Sequence, residues 1–221
     1  MAATPREAIA RVSAVRTLVP DVLEADLDLT EPPTLAFEAG QWISVPFGPK
    51  QVRAYSIASS PRSPARLTLC ADVAPDGLGS RWFRRLTAGA EVCFKGPLGG
   101  FVRPPEERRT PLFVAEEIGI VPVRAIIAEL APGAAATLIY GAPDHRRPYD
   151  VELRERARDA GGFAYHPVSG SDVAAAVERL TQAGTDIVAY AAGGAAMIKR
   201  VREILLARGL DRKAIKWERF W

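Results

Sequence analysis

The segment Leu112–Leu130 reads LFVAEEIGIVPVRAIIAEL and decides the fold class of its half of the chain. Its opening run, Leu112–Ala115, is short and apolar, as is typical of a buried strand, whereas Pro122–Leu130 has the length of a helix. The same succession recurs downstream in Thr137–Tyr140 with Val151–Ala160, Phe163–Val168 with Val173–Gln182, and Ile187–Ala191 with Ala195–Arg208, before a final apolar segment, Ile215–Trp221. This alternation predicts βαβ units and a parallel sheet with right-handed crossovers.

The preceding half has another pattern, in which short alternating segments are separated by Pro and Gly. The predicted strands are Ala10–Val15, Val22–Leu27, Gln41–Val45, Ala54–Ala58, Leu67–Ala71 and Glu91–Lys95, and one helix is predicted over Ser80–Leu86. Regular short strands with turn residues between them favour an antiparallel barrel or a sandwich. The proline-rich, charged stretch at 103–111 separates the two patterns, so we place the domains at residues 1–106 and 107–221.

The composition of the chain limits the kinds of site and partner that it can have. The chain has 221 residues, a formal net charge of +3 and 48% hydrophobic residues, which excludes a disordered chain and disfavours nucleic acid as a partner. Its two cysteines and two histidines cannot supply a four-cysteine zinc site or an iron–sulfur cluster, and no metal site is expected. Redox or group-transfer chemistry would therefore require an organic cofactor.

No targeting or membrane segment is predicted. Met1–Ala10 lacks the apolar core of a signal peptide, and the longest near-apolar run, Ile187–Ile198, is too short to span a bilayer. We therefore expect a cytoplasmic protein without a membrane partner, whose oligomeric state the sequence leaves open.

Two motifs in the first half have the chemistry to hold a nucleotide. In Arg53-Ala54-Tyr55-Ser56, strand alternation places Arg53 and Tyr55 on one face, where the guanidinium can pair with a phosphate and the ring can stack on a flat cofactor. Gly77-Leu78-Gly79-Ser80 lies at the start of the predicted helix. A glycine turn that runs into a helix presents free backbone N–H groups to an anion such as pyrophosphate.

The second half offers a place for another nucleotide. Doubly wound sheets bind ligands beyond the carboxyl ends of their strands, where the strand order reverses. The glycines near these predicted strand ends, at which a dinucleotide backbone can come close, are Gly119, Gly141, Gly193 and Gly194.

Together these residues resemble the ferredoxin–NADP reductase family of flavoproteins. That family carries Arg-x-Tyr-Ser followed by Gly-x-x-Ser at a helix start, and both motifs are intact here. The likeness continues in order through Gly40-Gln41, Gly96–Phe101, Gly119–Pro122, Leu138–Gly141, Ala192–Met197 and Glu218–Trp221. It implies an antiparallel flavin-binding β-barrel followed by a doubly wound parallel-sheet domain that binds a nucleotide.

The resemblance also implies which residues hold FAD: Arg53, Ala54, Tyr55, Ser56, Gly77, Leu78, Gly79 and Ser80. Arg53 and the amides of Gly79 and Ser80 would lie on the phosphates. Ser56 would lie near the flavin N5, where hydride arrives, which makes it a candidate catalytic residue.

The last residues of the chain carry further implied roles. Trp221 or Phe220 would cover the flavin or its adenine. Glu218 matches an acidic position near the C-terminus of some family members and is the second candidate catalytic residue.

One departure from the family pattern bears on nicotinamide binding. Where the family usually has Gly-Gly-Thr-Gly, this chain has Glu116-Glu117-Ile118-Gly119. Like charges about 5 Å apart at an effective dielectric near 20 repel by roughly 3 kcal/mol, whereas a helix N-terminus stabilises an anion by only about 0.3–2 kcal/mol. NAD(P)H then binds poorly if both carboxylates face the nucleotide. If the glutamates instead point away from the nucleotide and stabilise the N-terminus of their own helix through its dipole, they do not weaken NAD(P)H binding. The sequence leaves both possibilities open.

Two further departures concern the nucleotide. Ala192 stands where the family commonly has the cysteine of Cys-Gly-Pro. Ser169–Asp172, after the third predicted strand of this half, contains no arginine for a 2′-phosphate, which favours NADH over NADPH.

The leading prediction is an FAD-dependent oxidoreductase that takes hydride from a reduced nicotinamide and passes single electrons to a ferredoxin, a flavodoxin or an oxygenase-type partner. The alternative is a flavin-binding electron-transfer or regulatory subunit whose NAD(P)H binding is impaired or lost, because of Glu116, Glu117 and Ala192. A nucleotide-binding interaction domain that has also lost flavin is disfavoured by the intact Arg53–Ser56 and Gly77–Ser80.

Overall fold

A computed structural model describes residues 4–159 and 161–221. The chain divides into two compact units. The first runs to Arg103 and includes Arg124–Glu129, and the second comprises Pro104–Val123 and Leu130–Trp221. The predicted end of one helix at Ala160 lies outside the described residues.

The first unit is built on an antiparallel sheet. Its strands are β1 (Arg6–Val19), β2 (Val22–Glu31), β3 (Trp42–Pro46), β4 (Val52–Ser56), β5 (Arg66–Asp72) and β6 (Glu91–Leu98), with helix α1 (Leu78–Arg84) between β5 and β6. They pair in the order β4-β3-β6-β1-β2-β5. An antiparallel bridge from Ile57, directly after β4, to Leu69 in β5 joins the two edges of the sheet. The predicted antiparallel barrel is confirmed.

Alternation of side chains explains why this sheet closes around a core. Apolar residues at every second position point inward, and those that are fully buried include Leu27, Ile43, Leu67, Leu69 and Phe94. Strand β6 continues to Leu98, past the predicted end at Lys95. A side chain at Gly96 would come within 2.9 Å of Ile43 Cγ2, so the glycine lets β3 and β6 stay closely packed.

The second unit contains a parallel sheet. The elements along this part of the chain are β7 (Thr110–Glu116), α2 (Ile120–Ala128), β8 (Ala136–Gly141), α3 (Asp150–Asp159), β9 (Phe163–Val168), α4 (Val173–Leu180), β10 (Ile187–Gly193), α5 (Ala195–Ala207) and β11 (Ile215–Arg219). Helix α2 is divided between the units, because its residues from Arg124 onward belong to the first. The strand order is β11-β10-β7-β8-β9, and every neighbouring pair is parallel. The order reverses between β7 and β10, which is the topology of a doubly wound sheet and confirms the prediction.

The central strands of this sheet are apolar throughout because helices cover both faces of such sheets. Phe113, Val114 and Tyr190 are fully buried. Helix α4 ends at Leu180 rather than at the predicted Gln182, because Thr181 is extended and its hydroxyl donates to the Val177 carbonyl at 2.6 Å. Among the described residues, no helix is long and apolar enough to cross a membrane.

Candidate functional site

The two motifs of the barrel meet at Gly79. Arg53 and Tyr55 lie on one face of β4, and the Tyr55 hydroxyl donates to the Gly79 carbonyl at 3.2 Å. A Cβ at Gly79 would lie 2.8 Å from Tyr55 Oη and 3.3 Å from Arg53 Cγ. Only a glycine therefore lets the first turn of α1 approach β4 this closely, and the fold brings both predicted motifs together.

The start of α1 has the chemistry of an anion site. Gly77 provides no side-chain cap, and the first turn contains no acidic residue. The first amides of a helix have no acceptor within the helix, which here concerns Leu78, Gly79 and Ser80. The Arg53 side chain is exposed, and its Nη1 donates to the Val52 carbonyl at 2.8 Å.

The ring of Tyr55 is packed more closely against neighbouring side chains than a ring with an open face for a cofactor would be. The residue is only 7% exposed. Its ring centroid lies 5.2 Å from that of Trp82 and 5.7 Å from that of Phe83. Burial raises the pKa of the Tyr55 phenol to about 12, so the phenol stays neutral at physiological pH. A flavin that stacks on Tyr55 must displace part of this packing, and such stacking stays a prediction.

Ser56 and Ala54 complete the β4 motif. Ser56 ends the strand opposite Trp42 of β3 and is buried. Among the described residues the structure shows no hydrogen-bond partner for its hydroxyl. Ala54 is exposed and lies opposite Ser44.

The predicted glycines of the second unit have the chain's own atoms on the side where a Cβ would point. At Gly119 a Cβ would be 2.2 Å from the Ala192 carbonyl oxygen, and at Gly141 it would be 2.2 Å from Val173 Cγ2. At Gly193 it would meet Glu116 Cβ at 2.7 Å, and at Gly194 it would meet Trp221 Nε1 at 2.6 Å. Close packing within the unit thus accounts for glycine at these positions.

Glu116 accepts a hydrogen bond at the N-terminus of α5, and not at the N-terminus of α2, the helix that follows it in sequence. Its Oε2 accepts a hydrogen bond from the Gly194 amide at 3.0 Å, directly before α5. Glu117 differs from it, since its φ of 46° lies in the left-handed region, which costs a residue with a side chain about 1 kcal/mol. The carbonyl of Glu117 accepts from the Tyr140 hydroxyl at 3.1 Å. Only one of the two carboxylates therefore holds the start of α5.

Glu218 and Trp221 lie beside the same strand end. Glu218 on β11 is opposite Ala192 of β10. Its Oε2 is buried, and no hydrogen-bond partner for it occurs in residues 4–159 and 161–221. This burial raises the pKa of the Glu218 carboxyl to about 7. Trp221 is 54% exposed, and its main-chain oxygen accepts from the Ala195 amide at 3.2 Å.

Comparison with known proteins identifies the family. Residues 10–102 match the oxidoreductase FAD-binding domain, and residues 109–221 match siderophore-interacting proteins. Ferredoxin–NADP reductase B of Sorangium cellulosum is 40% identical over 163 residues, which are 71% of this chain and 67% of that protein. The chain belongs to the ferredoxin–NADP reductase family. Its first half is therefore an FAD-binding domain, in a family of flavin-dependent oxidoreductases.

Other similar proteins are more distant in sequence, and several of them are longer. Terephthalate 1,2-dioxygenase reductase component 2 of Comamonas sp is 29% identical over 136 residues, which are 60% of this chain and 40% of that protein. Among solved structures, the Amycolatopsis cytochrome P450 reductase GcoB has a TM-score of 0.88 at 24% identity and covers 100% of this chain and 71% of its own. The ferredoxin NADP⁺ reductase of Neisseria gonorrhoeae with bound FAD and NADP has a TM-score of 0.79 at 17% identity, and the match covers 97% of this chain and 99% of that one. These structures show the shared fold.

Sequence reasoning missed one contact of this family member, that between Glu116 and Gly194, which are 78 residues apart. The signal for it lies in the sheet order. Ala115 of β7 pairs with Ala192 of β10, so Glu116 and Gly193 follow side by side at the same edge. The parallel pairing of β7 and β10 thus brings Glu116, at the end of one strand, next to the two glycines Gly193 and Gly194 at the end of the other.

The raised pKa of Glu218 predicts a pH-dependent stability. Between pH 4.5 and about 7 the folded state holds a proton that the unfolded state has lost, so stability falls as pH rises through this window and stays lower above it. The loss is at most about 3 kcal/mol. We expect Glu218→Gln, which keeps a neutral group there, to raise the free energy of unfolding near pH 8 and to leave it unchanged near pH 4.5.

Urea denaturation at both pH values measures this effect. Glu155→Gln on α3 is the matched control, because Glu155 is exposed and should change the pH dependence little. A Glu218→Gln protein with the same pH dependence as the unsubstituted chain would contradict the assignment.

Proposed function

We propose that this chain is an FAD-dependent reductase that takes hydride from a reduced nicotinamide and passes electrons singly to a carrier protein or an oxygenase. The observation that carries the proposal is the meeting of Arg53, Tyr55 and the first turn of α1 in the FAD-binding domain. An exposed arginine whose stem lies against a helix start, together with helix amides that have no intrahelical acceptor, suits a pyrophosphate. Residues 1–106 would bind FAD, and residues 107–221 would bind the nicotinamide nucleotide.

The residues of this chain would divide the work as follows. The chemistry that bound FAD would supply is acceptance of a hydride and release of electrons one at a time. Arg53 would neutralise the pyrophosphate, while the amides of Gly79 and Ser80 donate hydrogen bonds to it. The Ser56 hydroxyl would donate to the flavin ring near N5. Tyr55, whose burial raises its pKa to about 12, would place a neutral ring beside the flavin.

For the nucleotide we propose NADH rather than NADPH. The loop after β9, Ser169–Asp172, contains no arginine to pair with a 2′-phosphate. Arg147, which follows β8, is buried and already committed, since its Nη2 donates to the carbonyls of Ala142 at 2.6 Å and Val168 at 2.9 Å. Its Nη1 donates to Asp144 at 2.8 Å. Neither the Ser169–Asp172 loop nor Arg147 therefore offers a free guanidinium to a 2′-phosphate.

The electron acceptor is proposed from the family. Relatives include a ferredoxin–NADP reductase and the reductase components of a terephthalate dioxygenase and a propane monooxygenase. The chain covers 40% of the terephthalate component's length, so a ferredoxin, flavodoxin or oxygenase partner is a proposal for this protein. The match of residues 109–221 to siderophore-interacting proteins adds a siderophore, as its ferric complex, to the acceptors to be tested. The predicted cytoplasmic location stays a prediction.

A second candidate function is a flavin-binding electron-transfer or regulatory subunit that does not use NAD(P)H. The contact of Glu116 with the Gly194 amide favours it, because this contact places a carboxylate at the start of α5. A nucleotide phosphate near that point would meet a like charge.

An anaerobic titration of the purified protein tests both candidates. Flavin absorption bands that are bleached by one equivalent of NADH are the expected result, with NADPH as the comparison. Oxidised ferredoxin, flavodoxin or a ferric siderophore is then added, and the return of the bands identifies the acceptor.

The outcomes separate the candidates. A protein with flavin bands that neither nucleotide bleaches contradicts the leading proposal and supports the second. A colourless protein that takes up no added FAD contradicts both. Bleaching by NADPH in preference to NADH would contradict only the proposed nucleotide.

A further inference from the structure

The start of α5 is already supplied with acceptors by the chain itself. The preceding Gly194 has no side chain to cap the helix, and its first turn contains no acidic residue. The Gly194 amide instead donates to Glu116 Oε2 at 3.0 Å, and the Ala195 amide donates to the main-chain oxygen of Trp221 at 3.2 Å. Two of the donors that a helix presents at its N-terminus are therefore in use.

The packing around Glu116 is built for this contact. A Cβ at Gly193 would lie 2.7 Å from Glu116 Cβ, and a Cβ at Gly194 would lie 3.0 Å from Glu116 Oε2. The glycine pair thus leaves the room that the glutamate side chain occupies. A carboxylate at a helix N-terminus is also stabilised by the helix dipole.

Glu117 does not share in this arrangement. Its carbonyl accepts from Tyr140, and among the described residues the structure shows no hydrogen bond or ion pair for its carboxylate. The two neighbouring glutamates carry the same charge, but only Glu116 uses a helix N–H donor. This difference separates a specific contact from general charge repulsion.

We propose that Glu116 is an internal anion that closes the start of α5 to the nicotinamide nucleotide, so that Glu116, and not Glu117, sets the affinity of this domain for NAD(H) and NADP(H). The proposal rests on the proposed function. A dinucleotide brings negatively charged phosphates, which favour the same kind of donors that Glu116 holds. Its binding must therefore displace the glutamate or take place against its charge.

Binding of the oxidised nucleotides NAD⁺ and NADP⁺ to the full chain tests the proposal, because neither can reduce the flavin. Isothermal titration is carried out on the FAD-loaded protein and on Glu116→Gln, Glu116→Gly and Glu117→Gln. We expect at least tenfold tighter binding in both Glu116 variants and a change of less than twofold in Glu117→Gln. The isosteric Glu116→Gln variant serves if Glu116→Gly does not fold.

A second measurement follows the contact itself. The Gly194 amide signal in nitrogen-edited NMR should shift in Glu116→Gly without nucleotide, since that amide loses its acceptor. In Glu116→Gln it should shift further when NAD⁺ is added.

Two results would overturn the proposal. Equal affinities in Glu116→Gln and the unsubstituted chain would show that Glu116 does not oppose binding. Equal tightening in Glu117→Gln and Glu116→Gln would show that only the net charge matters. The flavin bands of the same samples, and their bleaching by NADH, report on the proposed function separately.

Discussion

Replacing Arg53 by alanine is expected to weaken FAD binding by roughly 10- to 150-fold. Hydrogen bonds to a charged group contribute about 1.5–3 kcal/mol, and each 1.4 kcal/mol is a factor of about ten in affinity. The stem of the exposed Arg53 side chain lies against Gly79 in the first turn of α1, within reach of a phosphate at that helix start. The FAD affinity of Arg53→Lys should lie between that of the unsubstituted protein and that of Arg53→Ala, because lysine keeps the charge but not the planar pair of donors.

Equilibrium dialysis of apoprotein with FAD measures this loss. Arg11→Ala is the matched control, because Arg11 is an exposed arginine on barrel strand β1. It removes the same charge elsewhere on the barrel and should leave FAD affinity within about twofold. An Arg53→Ala protein that binds FAD as tightly as this control would remove Arg53 from the site.

Replacing Gly119 by alanine is expected to destabilise the fold by about 3 kcal/mol. The added Cβ would lie 2.2 Å from the Ala192 carbonyl oxygen and 2.5 Å from its carbon, both of which are backbone atoms of β10. Either the start of α2 or the end of β10 must shift. For a chain of this size, the melting temperature should fall by roughly 6–12 °C.

Thermal unfolding of Gly119→Ala and Gly170→Ala checks this expectation. Gly170 follows β9 in the same unit, and a Cβ there meets no atom within 4 Å. Its substitution should change the free energy of unfolding by less than about 0.5 kcal/mol. Equal melting temperatures for the two variants would show that Gly119 does not serve this packing.

Much of the fold could be predicted because its signals are local. Apolar periodicity placed the starts of two barrel strands at Val22 and Glu91, and it placed both ends of the strand Phe163–Val168. Errors arose where pairing with distant residues decides the end of an element. Strand β1 begins at Arg6 because that residue pairs with Gly96 of β6, a partner that local periodicity does not show.

The candidate site could likewise be predicted only where neighbouring residues in the sequence form it. The motif Arg53–Ser56 and the glycines at the start of α1 predicted a joint site, and the fold brings Arg53, Tyr55 and Gly79 together. The sequence did not show that Trp82 and Phe83 pack against the Tyr55 ring. It also did not show that only Glu116, of two adjacent glutamates, caps α5.

By itself, the sequence determined the two-part architecture, the family and the residue types available to a flavin, because period, turn residues and motif order are properties of neighbouring residues. Only the tertiary structure decided what Glu116, Gly119 and Glu218 do. Their contacts depend on how strands β7, β10 and β11 lie side by side. That register brings Glu116 to Gly194, sets Gly119 against the Ala192 carbonyl and places Glu218 opposite Ala192, where burial raises its pKa.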